Sequence, residues 1–81
     1  MTDHLPDIHI GALIRQELER QSKSPSWLAN KINMSRTNMY YVFSQKSINT
    51  DVLLAVSKAL DCDFFASYSK GLEEMAEADT K

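Results

Sequence analysis

The sequence predicts an all-α fold. Glycine and proline number only two each in 81 residues, no strand-like alternation persists beyond a few residues, and apolar side chains recur at three- and four-residue offsets. A chain of this length has room for one domain and one modest core, burying roughly 60% of its unfolded surface. The expected architecture is a compact bundle of about five short helices over residues 7–70. A flexible N-terminal arm, residues 1–6, precedes it, and an acidic tail without fixed structure, residues 71–81, follows.

Asp7 is the expected cap of a first helix running to about Gln21, in which Ile10, Leu13, Ile14 and Leu18 form one apolar stripe against Arg15, Gln16, Glu19 and Arg20. Residues 22–24 connect it to a second helix. Ser24 followed by Pro25 is a helix start, because serine accepts an orphan N–H and proline at the first helical position has none to lose. This helix reaches about Ile32 and turns Trp27, Leu28 and Ile32 inward, while Ala29 lets another helix cross closely. Asn33 tolerates the left-handed conformation of a sharp helix stop, Met34 plugs the turn into the core, and Ser35 caps a third helix from Arg36 to about Phe43. Met39, Val42 and Phe43 face the core, leaving Arg36, Thr37, Tyr40 and Tyr41 outward. Two short helices about a tight turn, the second with a polar and aromatic face near its start, form a helix-turn-helix arrangement.

After a polar loop, Asn49 or Thr50 caps a fourth helix with the stripe Val52, Leu53, Val56 and Leu60. Asp63 caps a short fifth helix whose Phe64, Phe65 and Tyr68 close the bottom of the core. The single Cys62 reads as a small core residue.

Charge and motif content narrow the function. The net charge of −2 is unevenly spread: residues 15–58 carry seven basic and three acidic side chains, and the rest carries two basic and eight acidic. A basic middle between acidic ends is compatible with a phosphate-facing surface. No apolar run approaches the ~20 residues of a membrane span, and the start MTDHLPD lacks the basic-then-apolar pattern of a signal, so a cytoplasmic protein is expected. His4 and His9, near Asp3 and Asp7, are too few convergent ligands for a metal site. No zinc spacing, phosphate loop, serine elbow or carboxylate pair is visible, so neither an enzyme nor a cofactor is expected.

The segments IGALIRQEL, SWLANKINMSRTNMYYVF and LLAVSKALDCDFF together resemble the DNA-binding domain of the phage-repressor family, also called the Cro or XRE type. The likeness covers Ile10 to about Tyr68. It rests on the Leu28-Ala29 pair, Ile32, Asn33 at the turn, Met34, the cap Ser35, and Met39 and Val42 three apart. Asn33 stands where the family usually has glycine, Pro25 where it often has a glutamine clamping DNA backbone, and Gln45 replaces a common glycine in a loop about one residue shorter. The resemblance implies a lambda-repressor-like fold and double-stranded DNA as partner, with the third helix in the major groove.

On that reading Arg36 binds guanine or a phosphate, Thr37 meets a thymine methyl or a phosphate, and Asn38 binds adenine or stabilises the helix start. Tyr40 and Tyr41 pack on sugar or thymine, or over the neighbouring loop. Ser24, Ser26, Lys46, Ser47 and Asn49 are the phosphate-contact candidates, being at helix starts and a loop. The expectation is a small transcriptional regulator, binding as a homodimer on half-sites. The rival is a protein-interaction module or antitoxin subunit on the same fold, with a partner at the last helix or acidic tail.

Overall fold

Five helix starts and three sharp helix stops divide the chain. The computed structural model describes residues 7–79, in the order α1 (Ile10–Arg20), α2 (Pro25–Lys31), α3 (Arg36–Ser44), α4 (Thr50–Leu60) and α5 (Phe65–Asp79), with no strand among the described residues. The expected arm, residues 1–6, and the last two residues of the expected tail lie outside the described residues.

Short polar side chains open the helices. Ser24 Oγ accepts from Trp27 N–H (3.0 Å), Ser35 Oγ from Asn38 N–H (3.1 Å), Asn49 Oδ1 from Asp51 N–H (2.6 Å), and Asp63 Oδ1 from Phe65 N–H (3.0 Å). Each such bond satisfies a donor the helix itself leaves free, worth about 1 kcal/mol. Of the two residues offered for α4, Asn49 is the cap and Thr50 is the first helical residue.

For α1 the expectation was wrong. Its cap is His9, whose Nδ1 accepts from Ala12 N–H (3.1 Å), and not Asp7. The physical reason lies in the loop after α3: Ile10 N–H and Gly11 N–H donate to the carbonyls of Lys46 (2.9 Å) and Gln45 (3.0 Å), which fixes where the helix begins. Three helices end on left-handed residues, Ser22 (φ 59°), Asn33 (φ 58°) and Asp61 (φ 51°). After each one the next N–H reaches back to close the turn: Lys23 to Leu18 O (3.0 Å), Met34 to Ala29 O (2.8 Å) and Cys62 to Ser57 O (3.0 Å).

The core is apolar throughout. Ile10, Ile14 and Leu18 of α1, Leu28 and Ala29 of α2, Met39, Val42 and Phe43 of α3, Leu53, Val56 and Leu60 of α4, and Phe64 are all buried. α1 and α2 each pack against both α3 and α4. Trp27 is only half-buried, because Leu28 and Ala29 take the inward direction of a seven-residue helix. Phe64 alone of the last aromatics is buried: it sits in the turn before α5 and enters the core, while on α5 itself Phe65 is half-buried and Tyr68 lies exposed. Cys62 is half-buried at the edge of the core.

The fifth helix is longer than expected. It continues through Gly71 to Asp79, where a short helix and a structureless tail were expected. The segment from Leu72 to Ala78 is built of Leu, Glu, Met and Ala, all strong helix formers, and their summed propensity outweighs the single glycine.

Candidate functional site

The turn between α2 and α3 determines which way α3 faces. Asn33 reverses the chain, Met34 is half-buried against the core, and Ser35 restarts the helix. With Met39, Val42 and Phe43 buried, Arg36, Thr37, Asn38, Tyr40 and Tyr41 are all exposed, the two tyrosines by 49% and 65%. None of the five is acidic. A face of this kind offers one guanidinium, one amide and three hydroxyls beside two apolar rings, and so can donate hydrogen bonds and stack at once.

The predicted residues fall into separate groups. Asn38, Tyr41, Ser47 and Asn49 meet in one groove of about 370 Å³, floored by Met34, Val42, Ile48 and Val52. Arg36 and Tyr40 belong to the other flank of α3, on the side of Phe43; the Tyr40 ring stands edge-on to the Phe43 ring at 5.9 Å and 88°. Ser24, exposed, and Ser26, half-buried, mark the start of α2, away from that groove. Ser24 Oγ accepts from Trp27 N–H, which leaves its hydroxyl proton free to donate. Asn49 is in the same position, its oxygen engaged by the first turn of α4 and its amide nitrogen left to donate. Lys46 is exposed, with Nζ 3.2 Å from Asp7 Oδ1. Asp7, expected to cap α1, instead holds the loop lysine.

In comparisons with protein-family models, curated proteins and solved structures, none matched this chain.

Three cation–aromatic pairs escaped the sequence reading. The Arg15 guanidinium lies 5.4 Å from the Phe43 ring centroid, so a residue assigned to the solvent face of α1 sits beside α3. Lys23 and Lys31 flank Trp27 with their ammonium groups 4.1 Å and 5.5 Å from its ring centroid, a stripe with four-residue spacing on each side. That spacing was legible in the sequence. Only Gly11 signalled the first pair, since a glycine inside a helix marks close approach of another backbone.

The clearest titration anomaly lies away from this face. Glu17 accepts from Arg20 Nε (2.9 Å) and from Gln21 Nε2 (2.6 Å), and these bonds, that from Arg20 foremost, hold its carboxyl down at about 2. Burial pushes the nearby Cys62 thiol up, with Glu17 adding to the shift. Both act between α1 and the end of α4. Among the described residues no three His, Cys, Asp or Glu side chains converge as for a metal ion, and no helix is long and apolar enough to cross a membrane.

Proposed function

We propose that the chain is a sequence-specific double-stranded-DNA-binding protein of the helix-turn-helix class, a small transcriptional regulator resembling the phage-repressor (Cro, XRE) type on a lambda-repressor-like fold. The observation that carries this reading is the face of α3. Arg36, Thr37, Asn38, Tyr40 and Tyr41 stand exposed without a carboxylate among them, on a helix anchored by three buried side chains. A helix of that width enters the major groove, where Arg36 is matched to guanine O6 and N7 and Asn38 to adenine. The module is small, so two copies on half-sites about one helical turn apart are the expected binding unit.

Selection of bound sequences from a random duplex pool at near-physiological salt tests the reading, and a defined site, as two related halves, is the expected result. Arg36→Ala should then lower affinity for that site by roughly 1–3 kcal/mol and relax preference at one position. Equal loss on every sequence would demote Arg36 to a phosphate contact. Absence of any enrichment, with background retention at low salt, would remove DNA as the partner.

A second reading, a protein-interaction module or antitoxin subunit, is favoured by one observation: Leu54 and Leu72, on α4 and α5, are exposed by 61% and 66% in addition to the tyrosines. Salt separates the two. Binding through phosphates weakens steeply as salt rises, whereas an apolar interface does not.

A further inference from the structure

We infer that Arg15 contacts DNA phosphate and makes α1 part of the DNA-facing surface, an inference that rests on the duplex-binding reading above. Successive residues of α3 are about 100° apart, so the burial of Met39, Val42 and Phe43 puts Thr37, Tyr41 and Ser44 at the middle of the outward face. Two flanks remain. Asn38 and Gln45 lie on the side of Val42, where the groove brings in Ser47 and Asn49. Arg36 and Tyr40 lie on the side of Phe43, and there the structure adds Arg15 from a different helix.

The dimensions of the duplex give this flank a task. A helix with its side chains is about 10–12 Å across and the major groove about 12 Å wide, so both flanks of an inserted helix meet a phosphate wall. On the Val42 side Ser47 and Asn49 offer uncharged donors. On the Phe43 side the proposed function gives Arg36 to the groove floor, and the cation the structure places beside it is Arg15, over the Phe43 ring. Its side chain is half exposed, so its donors are open to solvent. Stacking over Phe43 restrains the guanidinium before any ligand arrives and lowers the ordering cost of binding. Its ionic partner, Glu19, is 3.7 Å away in an exposed i, i+4 pair, the kind that yields readily to a phosphate.

Binding of a labelled duplex is measured between 50 and 200 mM salt, on the selected site and on a scrambled sequence, with circular dichroism confirming the helices of each variant. Arg15→Gln should weaken both duplexes about equally and reduce the magnitude of the log K against log salt slope by about 0.9, the share of one phosphate contact. Arg15→Lys should keep the slope, and Glu19→Gln should strengthen binding by freeing the guanidinium. An unchanged slope in Arg15→Gln, with the wild-type protein bound, overturns this inference alone. Full recovery in the double variant Arg15→Gln, Glu19→Gln also overturns it, since Arg15 would then only shield Glu19. Failure of the wild-type protein to bind any duplex overturns the DNA reading and this inference together.

Discussion

Gly11 is the residue on which the position of the candidate surface depends most closely. A Cβ placed there would collide with the carbonyl oxygens of Val42 and Phe43 and approach that of Gln45 to 2.7 Å. All three are backbone atoms at the end of α3, so no side chain can rotate away to make room. The absence of a side chain lets the N–H groups of Ile10 and Gly11 reach the loop carbonyls of Lys46 and Gln45 directly. Gly11→Ala must therefore push α1 away from α3 and stretch both bonds. Its expected effect is a loss of about 1–3 kcal/mol, the range of overpacked sites, despite alanine being the better helix former by about 1 kcal/mol. Urea unfolding measures it, and a stability equal to or above that of the unsubstituted chain would show that the two backbones are not held this closely.

At the scale of elements, α1 is tied to α4 by one polar side chain. Gln21 Nε2 donates both to Glu17 (2.6 Å) and to the carbonyl of Leu60 at the end of α4 (2.7 Å), while Arg20 grips Glu17 from the solvent side. Because the folded carboxyl is held near 2 against an ordinary value of 4.5, its contribution is fully present above about pH 4.5 and is lost as pH falls through about 2. Thermal melts at pH 7, 4 and 2.5 should show Glu17→Gln less stable than the parent at neutral pH and the gap closing toward pH 2.5. A gap that stays constant would remove Glu17 from the acid response. Elements of this kind divide sharply into what the sequence exposes and what it hides. The caps Ser24, Ser35 and Asp63 and the stop at Asn33 are local, a side chain reaching its own neighbours, and were legible. The Gln21 tie spans 39 positions and the Asp7–Lys46 pair also the same number, and no local pattern announces either. The inward stripes of α1 and α4 were legible as periodicity, whereas the choice between Phe64 and Phe65 depended on how α5 meets the rest. The outward side chains of α3 were legible once Met39, Val42 and Phe43 had been assigned inward; Arg15 was not, because its neighbour across the interface comes from another helix.

For the whole molecule, charge is the property that bears most on a polyanionic partner. The chain is negative overall, with its excess of basic residues confined to positions 15–58 and its acidic residues concentrated at the ends. On the proposed DNA-binding function, such a distribution would favour one orientation of approach to the duplex and oppose others, since the acidic ends would be repelled while the middle is attracted. The two regions touch where Asp7 pairs with Lys46, at 3.2 Å and with side chains 92% and 63% exposed. An exposed pair of this kind contributes no more than about 1 kcal/mol to folding, so its removal barely alters stability. On the proposed function its consequence for binding would be larger, because Lys46 cannot serve Asp7 and a phosphate equally well. Asp7→Asn should raise duplex affinity while leaving the melting temperature nearly unchanged. Glu73→Gln, which removes the same charge from the exposed surface of α5, provides the comparison. If Lys46 is a phosphate contact, Asp7→Asn strengthens binding more than Glu73→Gln does, and the difference disappears when Lys46→Ala is added to both. If the two substitutions have equal effect, the acidic end acts only through net charge and Lys46 leaves the set of phosphate contacts.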